Sequence, residues 1–188
     1  MPNKPETEEA AQWYRFAALL PRAQGQDFTD CWKIGEQEAG LDLLVAGLLT
    51  NRIAISESTR AEIAVVSEVW GVWTALEPGI QRCVGNDRDD TPLRLIQHVE
   101  TVPLDGNTIG AGAALAGLFV VPWITCDLCG HTLGRVYDRE PWGGLSPLAR
   151  GYVLFFPGQN TATIPFGFQS AWSALNAVRL SCKPANDT

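Results

Sequence analysis

The sequence predicts an α+β fold: a helical N-terminal half, then a small, mostly antiparallel sheet with a C-terminal helix. Three observations carry this. Apolar residues up to residue 76 recur at helical spacing. After Glu77 the composition shifts to turn residues that alternate with short β-branched and aromatic runs. Helical spacing then returns through Trp172, Leu175 and Val178. The expected division is a helical half over 1–78 and an α+β half over 79–188, as one continuous domain or two tightly packed halves. A chain of 188 residues is long enough for a real core in either case.

Three helices are expected in the first half. Trp13, Phe16, Ala17 and Leu20 share a face of the first, which opens near Thr7 and stops at Pro21. Residues 22–27 read as a polar link, and 28–33 begin the next helical stretch, with Gly35 as a candidate break. Leu41, Leu44, Val45 and Leu48 fall at i, i+3, i+4 and i+7 of one helix face. Thr50-Asn51-Arg52 ends that helix, with Asn51 as a left-handed cap. Residues 53–55 are extended and apolar. Ser56 or Ser58 then offers a hydroxyl to the free N–H groups of the next turn. Ile63, Val66, Val69, Trp70 and Trp73 form a second stripe, stopped by Glu77-Pro78-Gly79. Two stripes with a short link imply an antiparallel helical hairpin.

The order of these signals has a counterpart. Gly35-Glu36, then G-L-D-L-L-V-x-x-L-L from Gly40, I-x-I-S from Ile53, and Ile63-Ala64-x-Val66 resemble the MafI-family immunity proteins. The resemblance covers roughly residues 28–74. These are small bacterial proteins that neutralise toxins exchanged between competing cells. It implies a protein that binds a toxin domain and occludes its working surface, with no catalytic residues of its own. From Glu77 onward the chain departs from that pattern.

In the second half, residues 79–92 are a turn-rich connector. Residues 93–99 are assigned to a strand, 103–107 to a turn and 111–117 to a short helix of small residues. Strands follow at 118–125, 132–137, 151–156 and 164–168, with Cys126-Asp127-Leu128-Cys129-Gly130-His131 as the turn between the first two. Residues 139–147 and 157–160 are loops rich in breakers. The last helix covers 170–180.

Composition narrows the function classes. The net charge is −7, which opposes phosphate-backbone binding and suits an acidic surface steering towards a basic protein partner. The N-terminus lacks the apolar core of a secretory signal, and the most apolar run, 109–124, is shorter than the ~20 residues of a spanning helix. A cytoplasmic location without membrane or nucleic-acid partners is therefore expected. Five cysteines, an odd number, do not suggest a disulfide framework there.

Cys126-x-x-Cys129 followed by Gly130 and His131 is the sharpest local motif. A tight turn can aim two thiolates at one zinc ion, but a structural site needs four ligands. His131, Cys83, His98 or Cys182 are the candidates to complete it. The alternative is a strand–turn–strand with incidental cysteines. No cofactor is expected, with zinc open at Cys126, Cys129 and His131. Two histidines and no G-x-S-x-G, P-loop or G-x-G-x-x-G leave no catalytic constellation, so the chain reads as a non-enzyme. Asp87, Asp89 and Asp90 are a solvated loop or a contact for a basic toxin face. Trp142, in a charged loop, is either an interface anchor or folded back on the core. An immunity protein is the leading reading. A zinc-knuckle interaction or regulatory module is the alternative, and an enzyme with a scattered site the third.

Overall fold

In a computed structural model, the described residues are 4–86, 92–97, 101–103, 117–155 and 164–181. Asp87, Asp89, Asp90, His98, Cys182 and nearly all of the expected 111–117 helix lie outside them. The chain is mixed α+β and divides by packing into two compact units, Met1–Arg88 and Asp89–Thr188. Among the described residues, no helix is long and apolar enough to cross a membrane.

The first unit holds five helices, not three: α1 (Lys4–Ala17), α2 (Arg22–Ile34), α3 (Gln37–Thr50), α4 (Glu57–Val69) and α5 (Trp73–Arg82). On α1, Trp13, Phe16 and the following Leu20 are buried as their spacing requires. Trp13 stacks on Phe28 at 4.5 Å and on Trp32 at 5.2 Å between ring centroids. The polar residues 22–27 are helical, a correction to the expected link. Their inward face is built from Gly25, Phe28 and Thr29, so it lacks the large aliphatic stripe that marks a helix in sequence. Gly35, at φ 85°, ends α2: its N–H reaches Trp32 C=O at 3.3 Å and that of Glu36 reaches Cys31 C=O at 2.9 Å. Glycine adopts this left-handed geometry without a Cβ clash, so the helix stops and α3 starts afresh.

Gly25 marks the closest approach of α1 and α2. A Cβ there would stand 2.6 Å from the Ala17 carbonyl oxygen. Gly25→Ala gains helix propensity worth about 1 kcal/mol but forces backbone apart, an overpacking cost of about 1–3 kcal/mol. Net destabilisation is expected, measurable as a lower urea midpoint.

Leu41, Leu44, Val45 and Leu48 are all buried on α3. The left-handed residue after it is Arg52, at φ 50°, rather than Asn51 at φ −89°. Asn51 instead donates its side-chain amide to Gly47 C=O and Gln24 Oε1, both at 2.7 Å. Ser56 is the N-cap of α4, accepting from the Thr59 N–H at 3.0 Å. That helix ends at Val69, which is half exposed, and Trp73 opens α5. The expected stop at Glu77-Pro78-Gly79 lies inside α5, because Trp73, Leu76, Gly79 and Ile80 bury one face that outweighs the bond lost at Pro78. The expected α3–α4 hairpin is corrected too: α3 packs mainly on α2 and α5, and α4 on α5. Continuing through residue 78, α5 also places the division of the chain at Arg88/Asp89 rather than after 78.

Buried Arg60 of α4 ties these helices together. Its guanidinium donates to the carbonyls of Ile80 and Cys83 at the end of α5, the latter at 2.9 Å. Its Nε pairs with Glu57 Oε1 at 2.9 Å. Alongside, Ile55 bridges to the segment after α5: the Ile55 N–H donates to Val84 C=O and the Asn86 N–H to Ile55 C=O, both at 2.9 Å.

The second unit is an antiparallel sheet of β1 (Leu93–Leu95), β2 (Val102–Pro103), β3 (Phe119–Cys126), β4 (Thr132–Tyr137), β5 (Gly151–Phe155) and β6 (Ile164–Gly167). The order is β1-β3-β4-β5-β6, with β2 on the same side of β3 as β1. The 93–99 strand is thus shortened to 93–95. Pro103, expected in a turn, ends the edge strand β2, where its missing N–H costs no ladder bond. Pro122 sits at a register shift that leaves Trp123 as the extra residue, 1% exposed. Residues Gly151 to Leu154 of β5 are all buried, so both faces of the sheet are covered at its centre. After a 3-10 turn, Phe168–Ser170, α6 (Ala171–Ser181) packs on β3 to β6 through Ala171, Ala174, Leu175 and Val178. Trp172 lies at the flank of that stripe, with Arg179 Cζ at 5.8 Å from its ring centre.

Candidate functional site

The connection from β4 to β5 is a built protrusion. Arg139 and Leu145 pair as an antiparallel bridge. Inside it, the Glu140 N–H donates to Gly144 C=O and the Gly143 N–H to Glu140 C=O, both at 2.8 Å. These bonds make a tight hairpin with Pro141-Trp142-Gly143 at its tip. Pro141 fixes one φ, and Gly143, at φ 94°, supplies the left-handed residue such a three-residue loop needs. Trp142 is 78% exposed at that tip.

The base is fastened in three places. Arg150 Nη1 pairs with Asp138 Oδ1 at 3.0 Å. The Ser146 hydroxyl accepts from the Asp138 N–H at 3.2 Å and donates to Leu148 C=O at 3.0 Å. Arg139 lies 5.2 Å over the Phe119 ring of β3. A large rigid ring on a pre-shaped loop contributes contact area at little ordering cost, which is what an interface anchor requires. Trp142 therefore does not fold back on the core. Leu148 and Phe168 add exposed apolar surface in the same unit, at 68% and 65%. An open hollow of about 400 Å³ adjoins the base, bounded by Leu118, Val136, Arg150, Tyr152, Pro165 and Phe166. Its walls are apolar but for Arg150, which suits side-chain insertion better than acid–base chemistry.

The C-x-x-C turn is arranged differently from a zinc knuckle. Cys126 is the last residue of β3 and fully buried, whereas Cys129 is exposed on the turn. Strand alternation buries one thiol in the core and the turn lifts the other out. Cys129 Sγ instead stands 3.0 Å from His131 Nδ1. The turn is closed by the Cys126 N–H to His131 C=O at 2.9 Å and the Gly130 N–H to Cys126 C=O at 2.8 Å. Arg94 grips Asp127 through Nε and Nη2 at 3.1–3.2 Å. Among the described residues, no group of three or more His, Cys, Asp or Glu is placed to hold a metal ion. Cys83 is buried near Arg60, and its desolvation pushes the thiol pKa up.

Of the sequence candidates, the structure thus presents Trp142, pairs Cys129 with His131 and separates Cys126 from them. Asp87, Asp89 and Asp90 lie outside the described residues. Asp138, Ser146 and Arg150, which hold the hairpin, carry no motif; only the Pro-x-Gly at the tip signals it in sequence. Comparison with family models, curated proteins and solved structures finds no match for the chain.

Proposed function

We propose that the chain is an immunity protein that binds a bacterial toxin domain and blocks its working surface by occupying it. The observation that carries this reading is the fastened hairpin of residues 139–145, which holds Trp142 78% exposed at its tip. A bulky aromatic kept in water by its own scaffold makes sense as a contact for a protein surface, where Trp is enriched among energetic anchors. The helical resemblance over 28–74 points to the same class. Such an inhibitor works by steric occlusion and needs no catalytic group.

The net charge of −7 supports steering towards a basic toxin. Asp89→Lys combined with Asp90→Lys is then expected to slow association at low salt by roughly tenfold, with dissociation little changed. Stopped-flow association rates across a salt series check this; unchanged rates at low salt remove steering from the account.

The functional test is co-expression with the toxin domain encoded beside the chain's own gene. Growth restored by the chain, with the toxin still produced, supports an immunity role. Unrelieved toxicity at an excess of well-folded chain overturns it.

A further inference from the structure

We infer that Cys129 is a thiol-modification site, where a small disulfide forms a mixed disulfide with the aid of His131. Three observations place it. Cys129 is exposed on the turn between β3 and β4, beside Leu128, which is 76% exposed. Its Sγ lies 3.0 Å from His131 Nδ1, within hydrogen-bond reach of the imidazole. The turn that sets this pair is fixed by the two backbone bonds between residues 126 and 131 and by the Thr132 hydroxyl donating to Gly130 C=O at 3.1 Å.

The arrangement supplies what thiol–disulfide exchange needs. With the Nε2-protonated tautomer, Nδ1 accepts the Cys129 S–H. Attack on a small disulfide R–S–S–R forms the bond from Cys129 Sγ to one sulfur and breaks the R–S–S–R bond. The thiol proton passes to Nδ1 and then to the departing R–S⁻, which leaves as R–SH. Cys129 is oxidised and one R–S sulfur reduced, so atoms and electrons balance without a further oxidant. Solvent access allows the attacking, central and leaving sulfurs to approach in line, a geometry closed to a buried thiol.

The other described cysteines lack this combination. Cys83 and Cys126 are buried, and desolvation at Cys83 holds its thiol in the protonated form. Cys31 is partly buried on α2. The proposal is independent of toxin binding, since it concerns the opposite connection of β4 from the one that carries Trp142.

The test treats the native full chain with oxidised glutathione at neutral pH and follows adducts by intact-mass and peptide mass spectrometry. One glutathionyl group per chain is expected first, mapping to Cys129 and absent in Cys129→Ser. His131→Ala should slow its formation by roughly tenfold or more while leaving the circular dichroism spectrum unchanged. His131→Gln serves as a second variant if the alanine chain misfolds. A first adduct on Cys31 or Cys182, no adduct under conditions that label free glutathione, or an unchanged rate in both folded His131 variants would overturn the proposal.

Discussion

Arg60→Ala is expected to destabilise the helical unit by about 3–4 kcal/mol, the cost of orphaning buried acceptors of a charged donor together with lost packing. Arg60 is 4% exposed and gathers the Ile80 and Cys83 carbonyls with Glu57. The carbonyls belong to the end of α5, where no further turn of helix supplies donors. Removing the guanidinium leaves them dry and unpaired, while Glu57, itself partly exposed, is rehydrated. Arg60→Lys keeps the charge but not the planar fork that spans two carbonyls and a carboxylate, so an intermediate loss is expected. Urea unfolding of the full chain, followed by tryptophan fluorescence, measures both. A loss below about 1 kcal/mol for alanine would place Arg60 among ordinary surface residues.

Trp142→Ala is expected to weaken toxin binding by about 2–4 kcal/mol, or roughly thirty- to a thousand-fold in Kd. Its effect on folding should stay within about 0.5 kcal/mol, because the ring makes little core contact at 78% exposure. Calorimetric titration and thermal unfolding of the same variant separate the two effects. Arg150→Ala should give a smaller loss of affinity: it releases the Asp138 clasp and loosens the hairpin without removing the anchor. Equal losses in the two variants would mean that the loop's order matters more than its tip.

How far the sequence could be read depended on what each element buries. α3 was legible because Leu41, Leu44, Val45 and Leu48 spell its inner face in large aliphatics. Its neighbour α2 was not, since Gly25 and Thr29 stand on its inner face and close approach replaces bulk. α5 was hidden by Pro78 and Gly79, two residues that locally argue for a stop; tertiary burial of Trp73, Leu76 and Ile80 overrides them. Pairwise packing was the least legible, because α3 and α4 are close in sequence yet each finds its main partner elsewhere. In the sheet, β3 to β6 announced themselves through β-branched and aromatic residues, whereas two-residue β2 has no pattern to show.

The site followed the same rule. Pro141 and Gly143 signal a tip, but Asp138 and Arg150 are paired only by the fold. The Cys126–Cys129 spacing suggested convergence on a metal. Strand alternation instead buries Cys126, and a contact two residues apart joins Cys129 to His131.

The central claim is that the 139–145 hairpin is where the toxin domain docks. Amide hydrogen exchange of the chain, with and without the toxin domain encoded beside it, tests this most directly. The account predicts slowed exchange on complex formation across residues 139–145, lost in Trp142→Ala. A stable complex that leaves those amides unchanged and protects another surface would contradict it.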